Sequence, residues 1–158
     1  DLCQKYKLFP DLSDWEGKIL LLETSQEKPE PDDFKKMLQA LKETGIFEVI
    51  SGLLVGKPMD ETFYDDYKEA LMDTIDSNIP IVYNLNVGHA TPRTIVPFGV
   101  HAYVDATEQV IRFDYNKESW DKFLSFFYIL KYFRYLYSLL TTFPFTIILM
   151  VINQTCSL

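Results

Sequence analysis

The feature that most constrains the fold of this chain is an alternation over its first half. Short apolar runs, too brief for helices, take turns with longer stretches of helical period. Lys18-Ile-Leu-Leu-Leu22 is compact and apolar, as a strand buried on both faces requires. Glu23 ends that run, and the polar segment Thr24 to Pro31 follows. A helix is predicted from Pro31, with Pro suited to a first turn and Asp32 and Asp33 to the positive helix end. Phe34, Met37, Leu38 and Leu41 fall on one face, and Gly45 stands where a left-handed C-cap belongs. Ile46 to Val55 is apolar and β-branched and reads as one strand with a short lead-in. Glu61 to Ile75 reads as a second helix, striped by Phe63, Tyr67, Leu71 and Ile75. Ile79 to Leu85 reads as the next strand. Val100–Val104 and Gln109–Phe113 are expected to form a hairpin across Asp105 to Glu108. The expected class is α/β: a small, mostly parallel sheet with flanking helices and an edge hairpin.

In an open parallel sheet, functional groups gather beyond the carboxyl ends of the strands. Two residues stand there. Glu23 follows the first strand, and His89 follows Ile79–Leu85 in the loop Asn86-Val-Gly-His-Ala-Thr-Pro-Arg93. Gly88 admits backbone angles other residues resist, and Pro92 restricts the chain just past His89. A histidine so placed suits proton transfer, and a carboxylate beside it would orient the ring. From the residues alone, His89 and His101 read equally well as structural loop residues, and Glu23 as a solvent-facing strand end. Lys57, after a strand end in Gly56-Lys-Pro58, and Arg93, four residues beyond His89, are cations able to bind a carboxylate or phosphate. For Lys57 the alternative is a surface cation paired with Asp60 or Glu61.

Three segments carry a resemblance: Gly52-Leu-Leu-Val-Gly-Lys-Pro-Met-Asp60, Pro80-Ile-Val-Tyr-Asn-Leu-Asn-Val-Gly-His-Ala-Thr-Pro-Arg93 and Pro97-Phe-Gly-Val-His101. The chain resembles the LD-carboxypeptidase family of serine peptidases, in its branch like the microcin C immunity proteins. The resemblance runs from about Phe9 to Asp114 and covers the family's C-terminal domain. It implies an α/β domain and a Ser-Glu-His triad in which Glu23 orients and His89 acts as general base and acid. Lys57, Arg93 and Asn86 are expected to meet substrate. The implied reaction is hydrolysis of an amide bond near a carboxyl terminus, in murein peptides or peptidyl-nucleotide antibiotics. The family's serine and oxyanion donors sit in an N-terminal domain that this sequence does not contain. None of Ser13, Ser25, Ser51, Ser77, Ser119, Ser125, Ser138 and Ser157 lies in a Gly-x-Ser-x-Gly elbow. The chain alone is therefore expected to be inactive. A separate serine-bearing domain is the expected partner, and a homodimer is left open.

The formal charge of −8 argues against nucleic acid as a partner. No phosphate loop, dinucleotide fingerprint or Cys/His cluster is present, so no cofactor or metal is implied. Cys3 and Cys156, at opposite ends, are read as free thiols of a reducing compartment, with a terminal disulfide as the alternative. Asp1 to Pro10 has no apolar core of a signal peptide, which favours a cytoplasmic location. With no initiating Met, residues 1–17 are expected to be a linker remnant, and 18–114 the domain.

Residues 115–158 differ in kind. All 23 acidic residues lie at or before Asp121, while Lys122, Lys131 and Arg134 are the only charges after it. Tyr135 to Ile152 is 18 residues without charge, about 27 Å as a helix and close to the thickness of a bilayer core. An apolar helical tail is expected. It reads as a membrane anchor, as a helix packed on a partner, or as a non-native extension from a shifted reading frame. The last fits best, with Pro144 interrupting the run.

Overall fold

The computed structural model describes residues 10–76, 78–105, 107–114 and 147–154. After a single turn of helix, α1 (Leu12–Trp15), the chain alternates β1 (Ile19–Thr24), α2 (Pro31–Glu43), α3 (Ile46–Val49), β2 (Gly52–Gly56), α4 (Tyr64–Thr74) and β3 (Ile81–Leu85). The hairpin β4 (His101–Asp105) and β5 (Val110–Asp114) follows, and β6 (Ile147–Gln154) completes one sheet of order β3-β2-β1-β6-β4-β5. β1, β2 and β3 are parallel, and β4 and β5 are antiparallel at the opposite edge. The class expected from the sequence, a parallel α/β layer with flanking helices and an edge hairpin, is the one that forms.

The helices obey the expected signals. Pro31 begins α2, with Asp32 and Asp33 in its first turn, and Phe34, Leu38 and Leu41 are buried. Gly45 ends the helix at φ +79°, a left-handed conformation open to glycine at little cost. β1 and β2 are buried along their whole length. Alternation sorts their side chains between two faces. Leu20, Leu22, Leu53 and Val55 join Phe34, Leu38, Tyr67 and Leu71 under the helices, while Ile19, Leu21 and Leu54 meet Val87 and Ala102 on the other face. Each fully buried leucine contributes about 1.5–3 kcal/mol.

Four boundaries depart from the sequence reading. Ile46–Val49 is a turn of helix rather than the start of a strand, because Gly45 turns the chain and the Ile50 amide bonds back to the Ile46 carbonyl. The second helix starts at Tyr64, not Glu61. Met59–Glu61 is a tight 3-10 turn, and Phe63, at φ +57°, breaks the path between them. Glu23 lies inside β1 instead of ending it. Ile147–Gln154, expected within the helical tail, is a strand: all six positions from Ile19 to Thr24 pair with it. An uninterrupted helix through Ile152 cannot coexist with that ladder. The rest of the tail expectation (115–146 and 155–158), residues 1–9 of the linker expected at 1–17 and both cysteines lie outside the described residues. Among the described residues no helix is long and apolar enough to cross a membrane.

Tyr67 ties α4 to the segment that enters α2. Its ring packs on Phe34 at a centroid distance of 4.5 Å, and its hydroxyl donates to the Pro29 carbonyl at 2.5 Å. Burial pushes this phenol up to about 12 from an ordinary 10.0, helped by Glu30 and Asp66. The folded state thus holds the proton more tightly than the unfolded chain. The resulting stability is complete below pH 10 and is lost as pH rises from 10 towards 12. Tyr67→Phe is expected to cost about 1 kcal/mol at neutral pH through the lost hydrogen bond. Denaturant titrations across that alkaline window should show the variant losing less stability than the parent.

Candidate functional site

Period-two alternation along β1 puts Glu23 on the same face as Ile19 and Leu21, away from the helices. The parallel register Leu22↔Val55 brings Gly56, at the end of β2, level with it. The loop after β3 closes over this point. Glu23 is 4% exposed, yet it carries a carboxylate, so its oxygens must be satisfied locally. Oε1 accepts the backbone N–H of His89 at 2.8 Å and also bonds Nδ1 of the His89 ring. A carboxylate only accepts, so the shared hydrogen sits on Nδ1, and Nε2 is the ring nitrogen left to take a proton.

Two glycines make room for this contact. Gly88 has φ +93°, and a Cβ there would lie 2.2 Å from Cδ of Glu23. A Cβ on Gly56 would lie 2.9 Å from the Val87 carbonyl oxygen and 3.4 Å from Cγ of Glu23. No other residue fits at Gly88 without displacing the carboxylate. The loop is tied at its base by the Thr94 amide on the Asn86 carbonyl at 2.6 Å. Within it, Nη2 of Arg93 donates to the His89 carbonyl at 3.1 Å.

His89 opens onto a cleft of about 360 Å³ lined by Lys57, Met59, Asp60, Glu61, Ala90, Thr91 and Arg93. The structure therefore brings Glu23, His89, Lys57 and Arg93 into one neighbourhood from three strand ends. Asn86 is not part of the lining; its residue is exposed and contributes its carbonyl to the loop closure. His101 begins β4, in register with Asp114 and Asn153, and is likewise absent from the lining. Lys57 is engaged: its Nζ pairs with Oε1 of Glu61 at 2.5 Å, the surface pairing the sequence left as an alternative. Lys28 holds Asp60 at 2.5 Å. Asp60, Glu61 and Phe63 all have φ of 56–57°, a conformation that costs non-glycine residues about 1–3 kcal/mol each. The sequence reading missed Gly56 as part of this neighbourhood, and named Asp60 and Glu61 only as alternative partners of Lys57. Gly56 ends an apolar strand, a position that marks close approach of another backbone.

Among the described residues no serine lines the cleft, and no group of three His, Cys, Asp or Glu residues is placed to hold a metal.

Gly88→Ala is expected to push Glu23 off His89 and to destabilise the chain by about 1–2 kcal/mol from the positive φ alone. Amide hydrogen exchange would register it as faster exchange of the His89 N–H, while the amides of β1 and β2 stay protected.

The sequence profile of the LD-carboxypeptidase C-terminal domain matches residues 2–104. A crystal structure of an MccF-like protein from Streptococcus pneumoniae in complex with AMP is 87% identical to this chain, with a TM-score of 0.69. That match covers 73% of this chain and 34% of the other, so this chain spans about a third of its length. No curated protein matches.

Proposed function

The chain belongs to the LD-carboxypeptidase family through its C-terminal domain, and from that premise we propose that it supplies the base half of a serine peptidase active site. The observation that carries this reading is the buried Glu23 carboxylate holding both the main-chain amide and Nδ1 of His89. An imidazole held in this way can accept a proton at Nε2 from a serine hydroxyl and return it to the departing amine. Glu23 stabilises the imidazolium formed between those steps without taking the proton itself. The serine attacks the scissile carbonyl, the amide C–N bond breaks as the amine leaves, and water then releases the acyl group by the same proton shuttle.

In this reading the nucleophile and the oxyanion donors come from a domain outside this chain. The absence of a serine from the cleft lining among the described residues fits that division. Lys57 and Arg93 would meet an anionic part of the substrate, a C-terminal carboxylate or a nucleotide phosphate. The AMP in the solved relative favours the nucleotide-bearing class. The substrate is thus a peptide, or a peptidyl-nucleotide, with an amide bond near its carboxyl end.

The experiment is amide hydrolysis of a murein LD-tetrapeptide and of an aminoacyl-sulfamoyl-adenosine, with the chain alone and with a serine-bearing N-terminal half added. Turnover is expected only in the mixture. His89→Ala should remove nearly all of it. Glu23→Gln should lower it by a factor on the order of 10³–10⁴ by allowing the wrong tautomer. Turnover by the chain alone, or turnover that survives His89→Ala, would overturn the assignment.

A further inference from the structure

The ion pair at the mouth of the cleft has a consequence for which substrates the site accepts. Lys57 extends from the end of β2, and its side chain is only 19% exposed, whereas the Glu61 side chain that meets it is 63% exposed. The cation is held by the fold and its carboxylate partner is not. Glu61 sits on the segment Met59–Phe63, where three of five residues take left-handed backbone angles without being glycine. The side chains of that segment are moored by two ion pairs, Asp60 to Lys28 in the β1–α2 connection and Glu61 to Lys57. Both Lys57 and Glu61 line the same cleft as His89.

We propose that Glu61 is a specificity-determining residue, an internal carboxylate that occupies Lys57 until an anionic group of the substrate replaces it. The inference rests on the reading above, in which Lys57 meets an anionic part of the substrate. It adds the element that decides which ligands gain from that contact. A neutral ligand leaves the Lys57–Glu61 pair intact and draws nothing from Lys57. An anion of suitable reach exchanges with Glu61, which moves into solvent where a carboxylate is well hydrated. The exchange trades one charge-assisted contact for another, so Lys57 is never left as an unpaired, largely buried cation. Discrimination then comes from competition as well as attraction.

The test uses the full 158-residue chain and binding rather than turnover. AMP, carrying a phosphate, and N-acetylalanine, carrying a carboxylate, are titrated separately while backbone amide NMR shifts of Lys57 and His89 are followed. Glu61→Gln is expected to tighten binding of the anion the site is built for by about two- to fivefold, the size of an exposed ion pair. Which probe gains tells phosphate from carboxylate. Lys57→Met should weaken binding, and adding Glu61→Gln to it should restore nothing. Asp73→Asn, which removes the same charge from an exposed pair with Lys35 on the helices, should leave affinity unchanged. The proposal is overturned by unchanged or weaker binding in Glu61→Gln, by a gain that persists without Lys57, by an equal gain in Asp73→Asn, or by binding of neither probe to any variant. None of these results bears on His89-dependent turnover, so the two readings fail separately.

Discussion

A carboxylate buried to 4% exposure must find its hydrogen bonds inside the protein, and Glu23 finds them on a single residue. Much of the local architecture follows from that demand. β1 has to present Glu23 to the face opposite the helices, and a slip of one residue would instead drive it into the packing of Phe34, Leu38 and Tyr67. β2 has to end in a residue without a side chain, since the loop backbone at Val87 passes where a Cβ of Gly56 would be. The loop after β3 has to bend at φ +93° to bring an amide and a ring to the same oxygen, which only Gly88 permits. The His89 main chain is fixed on the same oxygen that holds its ring, so turning the imidazole breaks the Nδ1 bond while the backbone stays in place.

The rim of the cleft is built on the opposite principle. There the fold accepts three unfavourable backbone conformations within five residues and moors them with ion pairs exposed enough to contribute little stability. Strain of this kind persists only where the surroundings enforce it, here the end of β2 on one side and α4 on the other. The proposed function rests on this contrast between an imidazole held by a buried carboxylate and a rim held by exposed ion pairs.

Several elements were legible in the sequence because their causes are local. The apolar spacing of α2, its proline and its closing glycine needed no partner to be read. The run of four apolar residues in β1 could be little else than a strand buried on both faces. The glycine before His89 announced a backbone that ordinary residues resist, and the structure gives it a positive φ. Ile46–Val49 was misread because one turn of helix is too short to show a period, and its cause is the chain reversal at Gly45. The start of α4 was placed too early because acidic residues suit a helix N-terminus, whereas the backbone there turns left-handed.

The sequence by itself determined the α/β alternation, the hydrophobic faces of the helices and the residue types able to carry chemistry, since each depends on neighbours within one or two turns. It could also bring Glu23 and His89 near the carboxyl ends of their strands, though it read Glu23 as ending β1 rather than lying inside it and could not say that the two touch. The contact spans 66 positions and depends on strand order, register and two glycines acting together. For Lys57 the sequence offered Asp60 or Glu61 as a nearby partner, and the backbone excursion at Met59–Phe63 decided for Glu61. Dependence on pairing is plainest for Ile147–Gln154: an uncharged apolar run is compatible with a helix or a strand, and only the open edge of β1 decided between them. Local preference is written in the chain, while pairing across long separations is settled when the sheet closes.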